Sequence, residues 1–186
     1  MRVIAILSSF LLLGVAARAE AQTPSVSVQA GGGLTLFDTG HNFSAGIAFS
    51  PLSRVTLMVE ANRTHLNSRV THTHEPGGRL VGTSAFRGGT MTAVTGTLRL
   101  SLFEEGHWTP YVLAGVGKGI SRPNVNEQFP TPVTNDVEFA LAGGGVSIPL
   151  REHLSLFGDA RFMLGSSENN GLVAVAPVRV GVSWRF

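Results

Sequence analysis

Residues 175–186, VAPVRVGVSWRF, are the stretch on which the fold turns. Val178, Val180, Val182, Trp184 and Phe186 share one parity, and Pro177, Arg179, Gly181, Ser183 and Arg185 share the other. A period of two held over this length is a strand with one apolar and one polar face. Such a strand suits a soluble sandwich or a lipid-embedded sheet equally well. The rest of the chain has to decide.

Length and composition narrow the choice. A chain of 186 residues suits one domain. Only 14% of residues are charged, against the ~25% of an ordinary globular protein. Glycine, at 23 residues, is far above its usual ~7%. A net charge of +2 gives no polyanion-binding excess, so no nucleic-acid partner is expected. The absence of cysteine excludes disulfides, thiolate metal sites and cysteine nucleophiles.

The start reads as a cleaved signal peptide over residues 1–21, leaving 22–186 as the mature domain. Arg2 precedes the apolar run Val3 to Val15. Ala19-Glu20-Ala21 offers a cleavage site before Gln22, with Ala17-Arg18-Ala19 as its competitor. The run is too short for a spanning helix, which needs ~20 apolar residues. No other stretch is an uninterrupted apolar run of that length. Any passage through a bilayer must then be made by a closed barrel, because only helices and closed sheets satisfy their backbone in lipid.

Taken in order, the mature chain shows alternation over 25–36, 42–50, 54–64, 90–102, 109–120, 136–148, 153–164 and the closing stretch. In 109–120 the parity is weak, and Tyr111 and Leu113 are expected to point outward. In 136–148 Val137, Phe139 and Leu141 are expected outward, with Gly143-Gly144-Gly145 making a bulge. Residues from about His65 to Phe86 and from Ser121 to Thr134 read as long polar loops. The turns after the second, fourth and sixth strands are short, so short turns fall at one end and the long loops at the other. Charges also stand in mid-strand on the polar parity: Glu60, Arg99, Glu138, Asp159, Arg161 and Arg179.

Three stretches carry a family resemblance: Trp108-Thr109-Pro110-Tyr111-Val112 through Gly117, Leu156 to Phe162 (LFGDARF), and Val178 to Phe186. Together they resemble the small eight-stranded outer-membrane barrels, the OmpA-type transmembrane domain and its relatives, over essentially the whole mature chain. The resemblance implies an all-β, antiparallel up-and-down transmembrane barrel in the outer membrane of a Gram-negative-type bacterium. It also implies that the barrel-assembly machinery reads the closing strand, with Trp184 and Phe186 as the signal. A monomer in contact with outer-membrane lipid, including lipopolysaccharide, is expected, with no peptidoglycan-binding domain beyond the barrel.

Function is less legible. A lumen ringed by eight strands is filled by side chains, so Glu60, Arg99, Lys118, Glu138, Asp159, Arg161 and Arg179 are expected to pair inside it. A structural plug is the expected role, with a narrow conduit for small solutes as the alternative. Phe37, Phe49, Tyr111, Phe162 and Trp184 are expected at the membrane interfaces. His65, His72, His74 and Glu75 have ligand-like spacing but read as a solvated loop, and no metal or cofactor is expected. The His153-Leu154-Ser155 pair has the spacing of a lipid A deacylase family, yet it lies at the periplasmic end with Glu152 adjacent rather than opposed. Catalysis is not expected. Arg63, Arg69, Arg79, Arg87 and Arg122 gather toward the outer rim, where lipopolysaccharide phosphates lie. The mature protein is expected to fractionate with detergent-extracted outer membranes and to migrate differently on gels before and after boiling. Recovery in the soluble fraction would favour the sandwich.

Overall fold

The computed structural model describes residues 24–36, 39–74, 80–86, 88–103, 107–125, 130–167 and 171–186, with residues 69–74, 80–86, 167, 171 and 172 described by their backbone. The expected signal peptide and Phe37 lie outside the described residues. The strands are β1 (Ser25–Thr35), β2 (Gly40–Leu52), β3 (Val55–Leu66), β4 (Arg69–His74), β5 (Leu80–Phe86), β6 (Gly89–Ser101), β7 (Thr109–Pro123), β8 (Asn135–Pro149), β9 (Leu154–Ser167), β10 (Gly171–Val175) and β11 (Pro177–Arg185). The stretch from His65 to Phe86 is thus not a plain loop. Its residues extend β3 and form the β4–β5 hairpin, which pairs apart from the main sheet.

The other strands close on themselves as an eight-staved antiparallel barrel. Both β10 and β11 pair with β9 in one continuous register, Val175 with Met163 and Val178 with Ala160. They form one stave, interrupted at Ala176 where Pro177 brings no N–H to the ladder. The seam joins β11 to β1 from Ser27–Arg185 to Thr35–Pro177. Beyond it, the Leu36 amide bonds the Ala176 carbonyl and the Phe186 amide bonds the Val26 carbonyl, each at 2.9 Å. No stave is left with an open edge, as lipid requires.

Strand pairing climbs as it goes round. Starting at Ala30, in mid-β1, the paired residues are Ala45, Ala61, Val94, Lys118, Glu138, Ser166 and Leu172. Leu172 lies beyond the outer end of the seam, which stops at Pro177. The staves are therefore staggered and tilted, the condition for closing so small a barrel.

The two parities face opposite ways. Leu34, Val116 and Val180 are 67%, 68% and 65% exposed on the outer surface. Gln29, Ser44, Glu60, Asn62, Thr95, Asp159 and Arg179 are buried in the lumen. A soluble sandwich would have the reverse arrangement.

Strands β7 and β8 correct the sequence reading. Tyr111 and Leu113 point into the lumen and are buried, as are Val137, Phe139 and Leu141, while Val112, Val116 and Ile120 face out. The physical reason is glycine. Each inward aromatic lies over a cross-strand glycine: Tyr111 over Gly145, Phe139 over Gly117, Phe157 over Gly181. A Cβ added to Gly117 would stand 2.5 Å from the Phe139 ring, and one on Gly145 would stand 2.8 Å from the Tyr111 ring. In a narrow lumen such rings fit only where the facing residue has no side chain. The Gly143–Gly145 run makes no bulge either, because β8 keeps register with both neighbours throughout.

These contacts predict a sharp contrast between two glycines. A Cβ on Gly181 would meet the Ala30 carbonyl oxygen and stand 2.5 Å from the Phe157 ring, whereas one on Gly158 meets nothing nearer than 3.7 Å. Gly181→Ala should lower the stability of the barrel in lipid vesicles by about 1–3 kcal/mol. Gly158→Ala should leave the urea midpoint unchanged or slightly raised. Equal midpoints for the two variants would contradict the ring-over-glycine packing.

Candidate functional site

The lumen holds the densest chemistry of the molecule. Arg179 grips Asp159 with two parallel bonds, Nε to Oδ1 at 2.9 Å and Nη2 to Oδ2 at 2.8 Å. The strand register sets this pair, since Arg179 and Asp159 are direct cross-strand partners. Nη1 of Arg179 also donates to Ser44 Oγ at 2.6 Å and Glu60 Oε1 at 3.2 Å. Arg161 donates from Nε and Nη2 to the same Asp159, both at 3.2 Å, and from Nη1 to Glu60 Oε2. Gln29 Nε2 donates to Glu60 Oε1 at 3.1 Å. Two carboxylates and two guanidiniums thus form a neutral, nearly saturated cluster. All four side chains are at most 3% exposed.

This cluster spans the barrel. Three staves separate β3 from β9 in either direction, so Glu60 and Arg161 reach out from opposite walls. Their bond crosses the middle of the lumen. On the inner side, Tyr111 Oη donates to Asp159 Oδ2 at 3.3 Å, and the Arg99 guanidinium lies 3.7 Å over the Tyr111 ring. Arg99 is the one mid-strand charge that joins through an aromatic ring rather than an ion pair. Asn62 donates to Thr95 Oγ1 at 3.0 Å and Asn42 to Thr64 Oγ1 at 2.7 Å, which adds neutral polar links along β2, β3 and β6.

Toward the loops, the lumen from β6 round to β10 is apolar. Met91, Ala93, Leu113, Val137, Phe139, Leu141, Met163 and Val175 pack there as one buried cluster. Sequence reasoning missed it because it assigned Val137, Phe139 and Leu141 to the lipid face. The shared parity of Gly115, Gly117 and Gly119 with Tyr111 and Leu113 was the available signal.

No protein-family model and no curated protein matches the sequence. Solved structures do match in shape. The N-terminal β-barrel domain of Pseudomonas aeruginosa OprF aligns at a TM-score of 0.56 and 17% identity, over 87% of this chain and 97% of that one. Neisserial surface protein A aligns at 0.61 and 10% identity, over 88% and 96%. A major outer membrane protein from Thermus thermophilus aligns at 0.55 and 15% identity, over 89% and 100%. At such identities the likeness is one of fold. The chain has the fold of the eight-stranded outer-membrane β-barrels.

An outer-membrane-type barrel meets acyl chains with its exterior, and the apolar parity described above supplies that surface. The solved structures that share its fold are outer-membrane barrels. Phe49, Phe162 and Trp184 stand on this exterior at 43%, 47% and 47% exposure. Tyr111 does not, being bound to Asp159 inside. The Phe186 side chain is exposed beside the seam that its backbone closes.

Lys118 and Glu138 also differ from expectation. They pair at 3.3 Å, but outside the barrel, with side chains 65% and 76% exposed. The even parity of β7 and β8 faces outward, and near the outer strand ends a charge meets headgroups rather than acyl chains. His65 bonds Thr90 Oγ1 through Nδ1 at 3.2 Å and lies beside the His41 ring. His72 and His74 fall on β4, with their side chains outside the description, and Glu75 lies outside the described residues. His153 stacks on Trp184, with ring centroids 5.9 Å apart.

Removing one member of the cluster should cost more than any surface change. Asp159→Ala leaves Arg161 and Arg179 sharing the single carboxylate of Glu60, and loss of one partner from a buried pair costs about 3–5 kcal/mol. The urea midpoint of the refolded barrel in vesicles should fall accordingly. Lys118→Gln, which breaks the exposed pair, should change it by less than about 1 kcal/mol. An unchanged midpoint for Asp159→Ala would show that the cluster does not stabilise the barrel.

Proposed function

We propose that this chain is a sealed, non-catalytic outer-membrane barrel whose work is structural or adhesive, done by the surface and loops it holds at the outer face. The Glu60–Arg161 bond across the lumen carries this reading. A side-chain bridge between opposite walls stands in the path of a continuous file of water at that level. The buried apolar cluster toward the loops adds a second, dry obstruction in series. A solute would have to break buried ion pairs and also wet an apolar plug. Nothing in the energetics favours that over a closed state.

In this reading the barrel is a monomer. It is assembled through the closing strand that ends at Trp184 and Phe186, and the inner turns face the periplasm. His153, held against Trp184 at the exterior, is a packing residue rather than a base for Ser155. Conductance of the purified, folded protein in planar bilayers is the decisive measurement. The expected trace has no discrete openings. Openings in the unaltered protein that disappear in Arg161→Ala would establish a gated conduit and overturn the sealed reading. Incubation with lipid A followed by mass spectrometry should return the lipid unchanged, and loss of an acyl chain would instead establish an enzyme.

A further inference from the structure

The outer rim carries a basic surface that the sealed lumen does not explain. One line of cross-strand partners runs His41, His65, Thr90, Arg122 over β2, β3, β6 and β7. The next line toward the membrane runs Phe43, Arg63, Thr92, Ile120. All belong to the lipid-facing parity, as the 61% exposure of Phe43 and 44% of Ile120 indicate. The lines enclose two adjacent hollows that share Arg63 and Thr90, one reaching His41 and His65, the other Ile120 and Arg122.

The charge here is unbalanced. Among the described residues, no ion pair includes Arg63 or Arg122. The acids facing outward nearby are Asp136, beside Ile120 on the next stave, and Glu138, which is already paired with Lys118. Elsewhere on the rim the outward residues are uncharged: Leu34 on β1, Leu36 just beyond it, and Leu164 and Ser166 on β9. The basic surface is therefore a patch on one side rather than a belt.

We propose that this patch docks the phosphate groups of an outer-leaflet glycolipid of the lipopolysaccharide class. Two features select that occupant. Arginine forks held two staves apart, on β3 and β7 either side of β6, match phosphate oxygens, and such charge-assisted bonds gain strength away from bulk water. The same face then continues toward the membrane centre as Ala61, Val59 and Val94, an apolar track for acyl chains. A soluble anion would use the first feature and leave the second idle. This inference rests on the orientation in the proposed function, with the β4–β5 hairpin outside the cell.

The test uses the full mature chain refolded in detergent micelles, with diphosphoryl lipid A, the same lipid enzymatically stripped of phosphate, and heparin as probes. The unaltered barrel should bind diphosphoryl lipid A and bind the stripped lipid much more weakly. The double variant Arg63→Gln/Arg122→Gln should lose about tenfold or more in affinity, the scale of one charge-assisted bond. Arg151→Gln, in the inner turn, should bind as the unaltered protein does. Arg122→Glu alone serves if the double variant does not refold, and it should lose at least as much. Equal binding by the variants, or equal binding of the stripped lipid, would overturn the proposal. Heparin binding as tightly as lipid A would show a site for soluble polyanions instead. Orientation is checked separately: because the chain has no native cysteine, a Thr71→Cys variant should be labelled on intact cells by an impermeant maleimide. Labelling with no loss of lipid affinity removes this proposal alone. Absence of labelling removes the orientation and the proposal with it.

Discussion

The structure depends on burying four charges in a space that cannot be widened to hydrate them. Transferring a carboxylate or a guanidinium out of water costs several kcal/mol even after relaxation. That cost is offset only where nearly every donor and acceptor is engaged. Arg179 meets this condition with bonds to Asp159, Ser44 and Glu60, and Asp159 accepts from Arg179, Arg161 and Tyr111. The positions of the partners follow from closure. Arg179 lies in the closing stave, Ser44 in β2 and Glu60 in β3, so the saturated geometry exists only once β11 has joined β1. Seam and cluster therefore form together.

The lumen is divided in two, and the division matters for function. Around Glu60 and Asp159 it is ionic, and toward the loops from β6 round to β10 it is apolar. An aqueous conduit would need polar lining along its whole length. Here the ring-over-glycine pairs fill the wall instead, with Phe139, Tyr111 and Phe157 each lying where the facing stave has only backbone. Rigidity is the physical consequence. The staves are tied across the lumen by ion pairs and around it by interlocked rings, so the β4–β5 hairpin rises from a wall that has little freedom to deform.

The exterior obeys a different rule. In mid-strand its surface is aliphatic and aromatic, and among the described residues charges return toward the strand ends: Lys118 and Glu138 on one side, Arg63 and Arg122 near them. A charge near the end of a tilted strand is within reach of headgroups, so it carries little information about which way its parity faces. That is why reading Glu138 as a lumen residue misassigned β8. Glu60, Asp159, Arg161 and Arg179 stand in mid-strand, where lipid offers no such relief, and their inward parity was legible.

The alternation of Val178 to Phe186 determined from sequence alone that the closing stretch is a strand with Arg179 on its polar face. The same period, repeated along the chain beside paired turn signals, determined that strands dominate it. Such a period says which of two faces a side chain takes, and it says nothing about what lies across the barrel. Tertiary structure decided that Arg161 meets Glu60 from the opposite wall, because stave number and stagger bring those heights together. It also decided the inward turn of Tyr111 and Phe139, because only a neighbouring stave can show that a glycine waits beneath each ring.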